Sequence, residues 1–340
     1  MIFLVGDAGE PEAKTFKVFD ALLKQVKPIE EKSTIIFLGD NIYPGGMPNK
    51  TEKGRVEAEE IILYQLNRLK QSKAKTYYIP GNHDWNKGKK NGLSHVLNEE
   101  KFIEEGLDDH SFIPSNGCPG PVDVAISDNL VLIAIDTQWW LHQYEKSPIR
   151  AGDCKEITTV DVIKKLKVIL AKNEEKHILI VGHHPLMSKG EHGGFRTLKS
   201  HIFPLTNLNK NLYLPLPILG SFYPLYRSWI GNIQDLAHPK YKKMIKDLQT
   251  VFEEHKNLIY AAGHEHNLQY YNEGSHHYIV SGSGSKLSDV KKLKSPNFSA
   301  KHKGYFKLSY LKNGSILIDS YGIVEGKEKL LFRKRILSLE

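Results

Sequence analysis

Short apolar runs closed by glycine recur along the chain, and each ends on a residue able to bind a metal. Residues 1–5 run into Gly6-Asp7, residues 34–38 into Gly39-Asp40, and residues 77–80 into Gly81-Asn82-His83. Residues 178–181 run into Gly182-His183, and residues 258–262 into Gly263-His264-Glu265-His266. Runs of this length and punctuation predict buried strands. Between them, residues 12–26, 51–71, 158–171 and 239–254 place apolar side chains at three- and four-residue intervals, which predicts helices. Other stretches predict strands paired without helices: 122–126 with 130–135, 268–271 with 278–280, and 305–310 with 315–321. The last pair flanks Asn313-Gly314, a strong hairpin signal. Strands alternating with helices, plus hairpins, predict an α/β chain built as a sandwich of two mixed sheets with helices outside. One domain is expected over residues 1–340, with residues 286–340 supplying edge strands of the second sheet.

One segment breaks the pattern. Residues 212–231, from Leu212 to Gly231, read LYLPLPILGSFYPLYRSWIG, with no acid and one Arg227. Its length approaches a membrane span, but Pro215, Pro217 and Pro224 would break a spanning helix. It sits in an insertion at about 195–238 and is read as a proline-stiffened loop packed over the domain. A lid, a membrane-surface contact and a docking face for a partner domain are the alternatives.

The composition, 40% hydrophobic and 25% charged, is that of a soluble globular chain. The formal charge of +8 favours anionic partners. Nucleic acid is supported by charge alone, without an interleaved basic–aromatic surface, so no specific binding to it is expected. Lys87, Lys89 and Lys90 follow the Asn82-His83 signature directly, where they could draw in phosphorylated substrates or simply form a solvated loop. Two cysteines, Cys118 and Cys154, are too few for a metal site. They leave a single bridge and two free thiols equally open. No apolar leader precedes the first strand.

In open α/β sheets reactive groups collect beyond the carboxyl ends of the strands. Five such ends carrying Asp7, Asp40, Asn82, His183 and the pair His264/His266 describe a two-metal hydrolytic site, with Asp40 as the bridging carboxylate. His264 and His266 are two apart, so in extended backbone both rings face one side and Glu265 faces away, placed to orient a histidine from behind. Tyr43, by pattern alone, is as readily a packed aromatic before Pro44.

These motifs resemble the calcineurin-like metallophosphoesterases. Gly6-Asp7-Ala8-Gly9, Gly39-Asp40-Asn41-Ile42-Tyr43 and Gly81-Asn82-His83-Asp84 match the first three signatures, and Val181-Gly182-His183 and Gly263-His264-Glu265-His266 the last two. Tyr43, three residues after Asp40, narrows the resemblance to the purple acid phosphatases. The run GHEHNLQY from Gly263 and the Glu191-His192 pair narrow it to the small tartrate-resistant type. The resemblance implies the four-layer α-β-β-α metallophosphoesterase fold. It implies Fe(III) on Asp7, Asp40, Tyr43 and His266, and a second ion, Fe(II), Zn(II) or Mn(II), on Asp40, Asn82, His183 and His264. A hydroxide formed at such a pair attacks phosphorus in line with the leaving alkoxide. His83 is then the expected phosphate-binding and proton-transferring group, with His192 as second candidate. Asp84 either raises the basicity of His83 or merely holds the turn. His184, before Pro185, is expected to line the pocket.

The expected function is therefore hydrolysis of phosphate monoesters on small phosphorylated substrates by a monomer. A phosphodiesterase or nucleotide pyrophosphatase on the same cage is the enzymatic alternative. A binding module without chemistry is the remaining one, disfavoured because no ligand is missing. The resemblance and the two cysteines fit a periplasmic or secreted setting if the chain is an excised domain. The insertion between His192 and His264 exceeds the family pattern, which leaves the substrate range open.

Overall fold

The computed structural model describes all residues except 13–14, 109, 147–153, 198–201, 204–211, 216–226, 228–229 and 337–340. Every apolar run ending in a metal-binding residue forms a short strand: β1 (Ile2–Val5), β2 (Thr34–Phe37), β3 (Lys75–Tyr78), β6 (His177–Val181) and β7 (Leu258–Ala262), all largely buried except β3, of which only Tyr78 is buried. The other strands are β4 (Val122–Ser127), β5 (Leu130–Ala134), β8 (Leu268–Glu273), β9 (His276–Ser281) and β10 (Phe298–Ala300). β11 (Gly304–Tyr310), β12 (Ile316–Val324) and β13 (Lys327–Ile336) complete the set.

Two mixed sheets result, ordered β13-β12-β11-β1-β2-β3 and β10-β8-β9-β7-β6-β5-β4. β1, β2 and β3 run parallel, as do β5, β6, β7 and β9. The carboxyl ends within each parallel set therefore share one edge, and that edge carries the site.

Side-chain alternation builds the layers. On β1, Ile2 and Leu4 turn to the space between the sheets, where they meet Leu179, Val181, Ile259 and Ala261 of the other sheet. Phe3 and Val5 turn outward to α1 (Lys17–Val26), α2 (Arg55–Leu69) and α3 (Gly92–Gly106). Across the molecule Ile178 and Ile180 of β6 pack on α5 (Thr159–Lys172) and on a helix labelled here α6 (Pro239–Phe252). The short α4 (Thr137–Leu141) precedes them in the chain. This is the expected four-layer sandwich. α5 starts where Thr158 and Asp161 form a reciprocal capping box. α6 starts with Pro239 at its first position behind the His238 cap.

Two expectations are corrected. The helix foreseen over 12–26 begins only at Lys17, because Glu12 and Thr15 pair as an isolated bridge. Most of the C-terminal strands do not border the second sheet. β11 lies inside the first sheet beside β1, β12 and β13 extend that sheet, and only β10 edges the second. α3 and β13 were not individually singled out in the sequence: α3 begins on glycine without a side-chain cap, and β13 runs in charged, apolar and charged blocks at a half-exposed edge.

Cys118 and Cys154 form a disulfide. The apolar segment 212–231 lies largely outside the described residues; of it, Leu212, Tyr213 and Leu214 are exposed. Among the described residues no helix is long and apolar enough to cross a membrane.

Candidate metal centre

The five strand ends converge. Asp7, Asp40 and His183 are buried and offer ligand atoms that all lie within 4.8 Å of one another. The Tyr43 hydroxyl reaches Asp7 Oδ1 and Asp40 Oδ2, each at 2.9 Å, and lies 3.2 Å from His266 Nε2. On the other side Asn82 Oδ1 lies 3.0 Å from both His183 Nε2 and His264 Nδ1. His183 Nε2 is 3.4 Å from Asp40 Oδ1, so Asp40 stands between the two groups. Asp7, Tyr43 and His266 thus gather on one side of Asp40, and Asn82, His183 and His264 on the other.

The backbone is shaped for this. Asp7, Asp40 and His264 adopt positive φ of 55°, 54° and 69°, a region uncommon for residues other than glycine. A Cβ on Gly81 would stand 2.3 Å from the Asp40 amide nitrogen, and one on Gly263 would stand 2.6 Å from Asp7 Oδ2. Only glycine allows the approach. The His264–His266 segment is not extended. The Glu265 amide bonds the Gly263 carbonyl and the Asn267 amide bonds the Glu265 carbonyl, giving two tight turns in succession. These turns, rather than strand alternation, send His264 to Asn82 and His266 to Tyr43.

The outer hydrogen bonds select the inward ring nitrogens. His183 Nδ1 meets the Leu38 carbonyl at 2.8 Å and His264 Nε2 meets the Gln234 carbonyl at 2.9 Å, leaving His183 Nε2 and His264 Nδ1 for the centre. His83 Nδ1 meets the Pro44 carbonyl at 2.8 Å, and its Nε2 stands 3.8 Å from Asp40 Oδ2.

Without a cation the centre is electrostatically unbalanced. Burial, then the Asp40 charge, pushes the Asp7 carboxyl up. Burial and both aspartates push the Tyr43 phenol well up. Burial also pushes His264 well below the usual imidazole range, and His266 down to about 4. Two acids and a phenol facing imidazoles in a largely buried cluster are a donor set that cations satisfy. Hard oxygen with imidazole suits iron, zinc or manganese, so the residues fit a metal pair.

Asp84 does not face His83. Its carboxylate accepts from the amides of Gly81, Asn41 and Ile42, and so holds the turn carrying Asn82 and His83. Behind it lies Glu99, fully buried and bonded to the Asn41 side chain. Burial, then the Asp40 charge, pushes Asp84 up, and burial, then the Asp84 charge, pushes Glu99 well up. Glu265 bonds no ligand histidine: its Oε1 accepts from Ser188 Oγ at 2.6 Å and from the Gly193 amide at 2.9 Å. It therefore pins the loop that bears His192. His184 is fully buried between Thr137 Oγ1 and Gln234 Oε1. His192 stacks on His264 with ring centroids 4.2 Å apart, at the edge of the centre.

Several residues here had no sequence signal. The Lys286 ammonium lies 3.7 Å from the centroid of the Tyr43 ring and 3.0 Å from Glu10 Oε2. Gln234 and Asp235 approach from the far end of the insertion.

The family model for calcineurin-like phosphoesterases matches residues 1–289. The chain belongs to the calcineurin-like phosphoesterase family. Within it, this phosphoesterase is 24% identical over 299 residues to human tartrate-resistant acid phosphatase type 5, covering 86% of this chain and 73% of that protein. It is 25% identical over 187 residues to purple acid phosphatase 4 of Arabidopsis thaliana, covering 53% of this chain and half of the relative. A solved structure titled GAP50, the anchor in the inner membrane complex of Plasmodium, shares the fold. Its TM-score is 0.58 at 14% identity, over the whole of this chain and 89% of that one. Family and relatives imply a dinuclear metal site, and the buried Asp7, Asp40 and His183 lie where it belongs.

Proposed function

We propose that this phosphoesterase hydrolyses phosphate monoesters at a metal pair. Asp7, Asp40, Tyr43 and His266 would hold one ion, an Fe(III). Asp40, Asn82, His183 and His264 would hold a divalent iron, zinc or manganese. The observation that carries the reading is the Tyr43 hydroxyl at hydrogen-bond distance from Asp7 and Asp40, beside His266. A phenol pushed up by two buried carboxylates is a poor acid by itself but a good anionic ligand once a trivalent cation offsets their charge.

Bound metals supply a water-derived nucleophile near neutral pH and offset phosphate charge. The protein groups do the rest. His83, with Nδ1 fixed by Pro44, presents Nε2 towards Asp40 and would hold a phosphate oxygen there. Lys286 adds positive charge beside Tyr43, where an anionic ester would dock. His192, packed against His264, would hand a proton to the leaving oxygen, a role worth roughly 10²–10⁴-fold in rate. Asp84 supports His83 through the shared turn rather than by contact.

The experiment is hydrolysis of an aryl phosphate against the corresponding bis-aryl phosphate by the metal-loaded protein. Faster monoester turnover, lost in Asp40→Asn, supports the proposal. Faster diester turnover would replace it with a phosphodiesterase.

A further inference from the structure

Asp235 comes from the far end of the insertion, in a turn for which the sequence carried no motif. It is 1% exposed, which is costly for a carboxylate unless every lone pair has a partner. Its partners are specific. Oδ1 meets His192 Nδ1 at 2.9 Å, Oδ2 accepts from the Asn232 amide at 2.9 Å, and the Arg227 guanidinium bonds both oxygens. The Leu236 amide donates to the His192 carbonyl at 3.0 Å, so the turn grips ring and backbone together. From below, Glu265 pins the same loop through Ser188 and Gly193. With Nδ1 engaged, Nε2 is the nitrogen His192 has left for a substrate, on a side chain one quarter exposed.

We propose that Asp235 is a positioning residue that sets the ring of His192 over the second half of the metal centre, with Arg227 tying the insertion to that task. The inference rests on the phosphatase reading. In the step concerned, water oxygen bonds to phosphorus as the ester P–O bond breaks. The bonding pair moves onto the leaving oxygen, which takes a proton from His192 Nε2, and the proton released by the attacking water restores it. A carboxylate on the far ring nitrogen keeps that nitrogen aimed, as in acid–base sites where an aspartate orients a histidine. Asp235 itself touches no substrate.

Leaving-group dependence separates this role from a structural one. An alkoxide needs the proton and a nitrophenolate scarcely does. The full-length, metal-loaded protein and Asp235→Asn are compared on an alkyl phosphate and on p-nitrophenyl phosphate, with metal content measured for both. The expected result is a kcat lower by roughly 10- to 100-fold on the alkyl ester, with KM within about twofold and less than about threefold loss on the aryl ester. In a His192→Ala background the same substitution should have no further effect on the alkyl ester. Equal losses on both esters, or a full additional loss in the His192→Ala background, would overturn the proposal. If the Asp235 variant does not fold, Arg227→Gln takes its place with the same expected selectivity for the alkyl ester. Wild-type protein that loads two metals yet cleaves neither ester would instead remove the phosphatase reading itself.

Discussion

Replacing Asp7 with asparagine should stabilise the metal-free protein while abolishing metal binding on the Tyr43 side. The Asp7 carboxyl is pushed up to about 8, first by burial and then by the Asp40 charge, from an ordinary 3.8. The folded state therefore binds the proton that the unfolded chain releases, so metal-free stability falls as pH rises from about 4 to about 8. At pH 7 the solution stands about three units above the ordinary value, which at about 1.4 kcal/mol per unit costs the fold on the order of 4 kcal/mol. Asparagine escapes that cost but loses one acceptor, either for the Tyr43 hydroxyl or for the His264 amide, at about 1–2 kcal/mol. The net gain is about 2–3 kcal/mol, or roughly 3–4 °C in Tm from the usual unfolding entropy per residue. The assay is thermal unfolding of chelator-stripped wild type and Asp7→Asn at pH 4 and pH 7.5. The variant should gain at pH 7.5 and lose that advantage at pH 4. With metal restored the order should reverse, since ligand at a thousand times its Kd adds about 4 kcal/mol to the protein that binds it. A stripped variant less stable than wild type at pH 7.5 would refute the electrostatic argument.

Other outcomes follow from single contacts. Gly81→Ala places a Cβ against the Asp40 amide and should cost about 3 kcal/mol or more while removing metal from both halves, as denaturant melts and metal analysis would report. Cys118→Ser should lower stability by about 3–4 kcal/mol in denaturant melts, because the bridge closes a loop with a sequence separation of 36. If iron occupies the Tyr43 side, native protein should show a broad visible band that disappears in Tyr43→Phe. Glu265→Gln should leave metal content unchanged and lower kcat, since it loosens the Ser188–Gly193 anchorage and no ligand histidine bonds it.

The sandwich was legible because glycine-closed apolar runs end on oxygen and imidazole donors, and parallel pairing brings those ends to one edge. The candidate ligands were legible for the same reason: Asp7, Asp40 and His183 each lie just beyond a strand end. What lies behind them was not. Asp235 and Gln234 act through one carboxylate and one backbone carbonyl, and neither type of contact leaves a local pattern. Glu99 hides on the buried face of α3, where a helix-period acid reads as solvated until packing places it behind Asp84. The His264–His266 geometry showed the reverse failure. The expected division of the two rings emerged from successive turns, which a rule of strand alternation does not describe.

The central claim is a pair of cations bridged by Asp40. Metal content per chain in natively purified protein tests it most directly, with Asp40→Asn alongside. The account predicts two transition-metal ions per chain, and at most one after the substitution. Two ions retained without the Asp40 carboxylate, or none in folded wild-type protein supplied with iron, zinc and manganese, would contradict it.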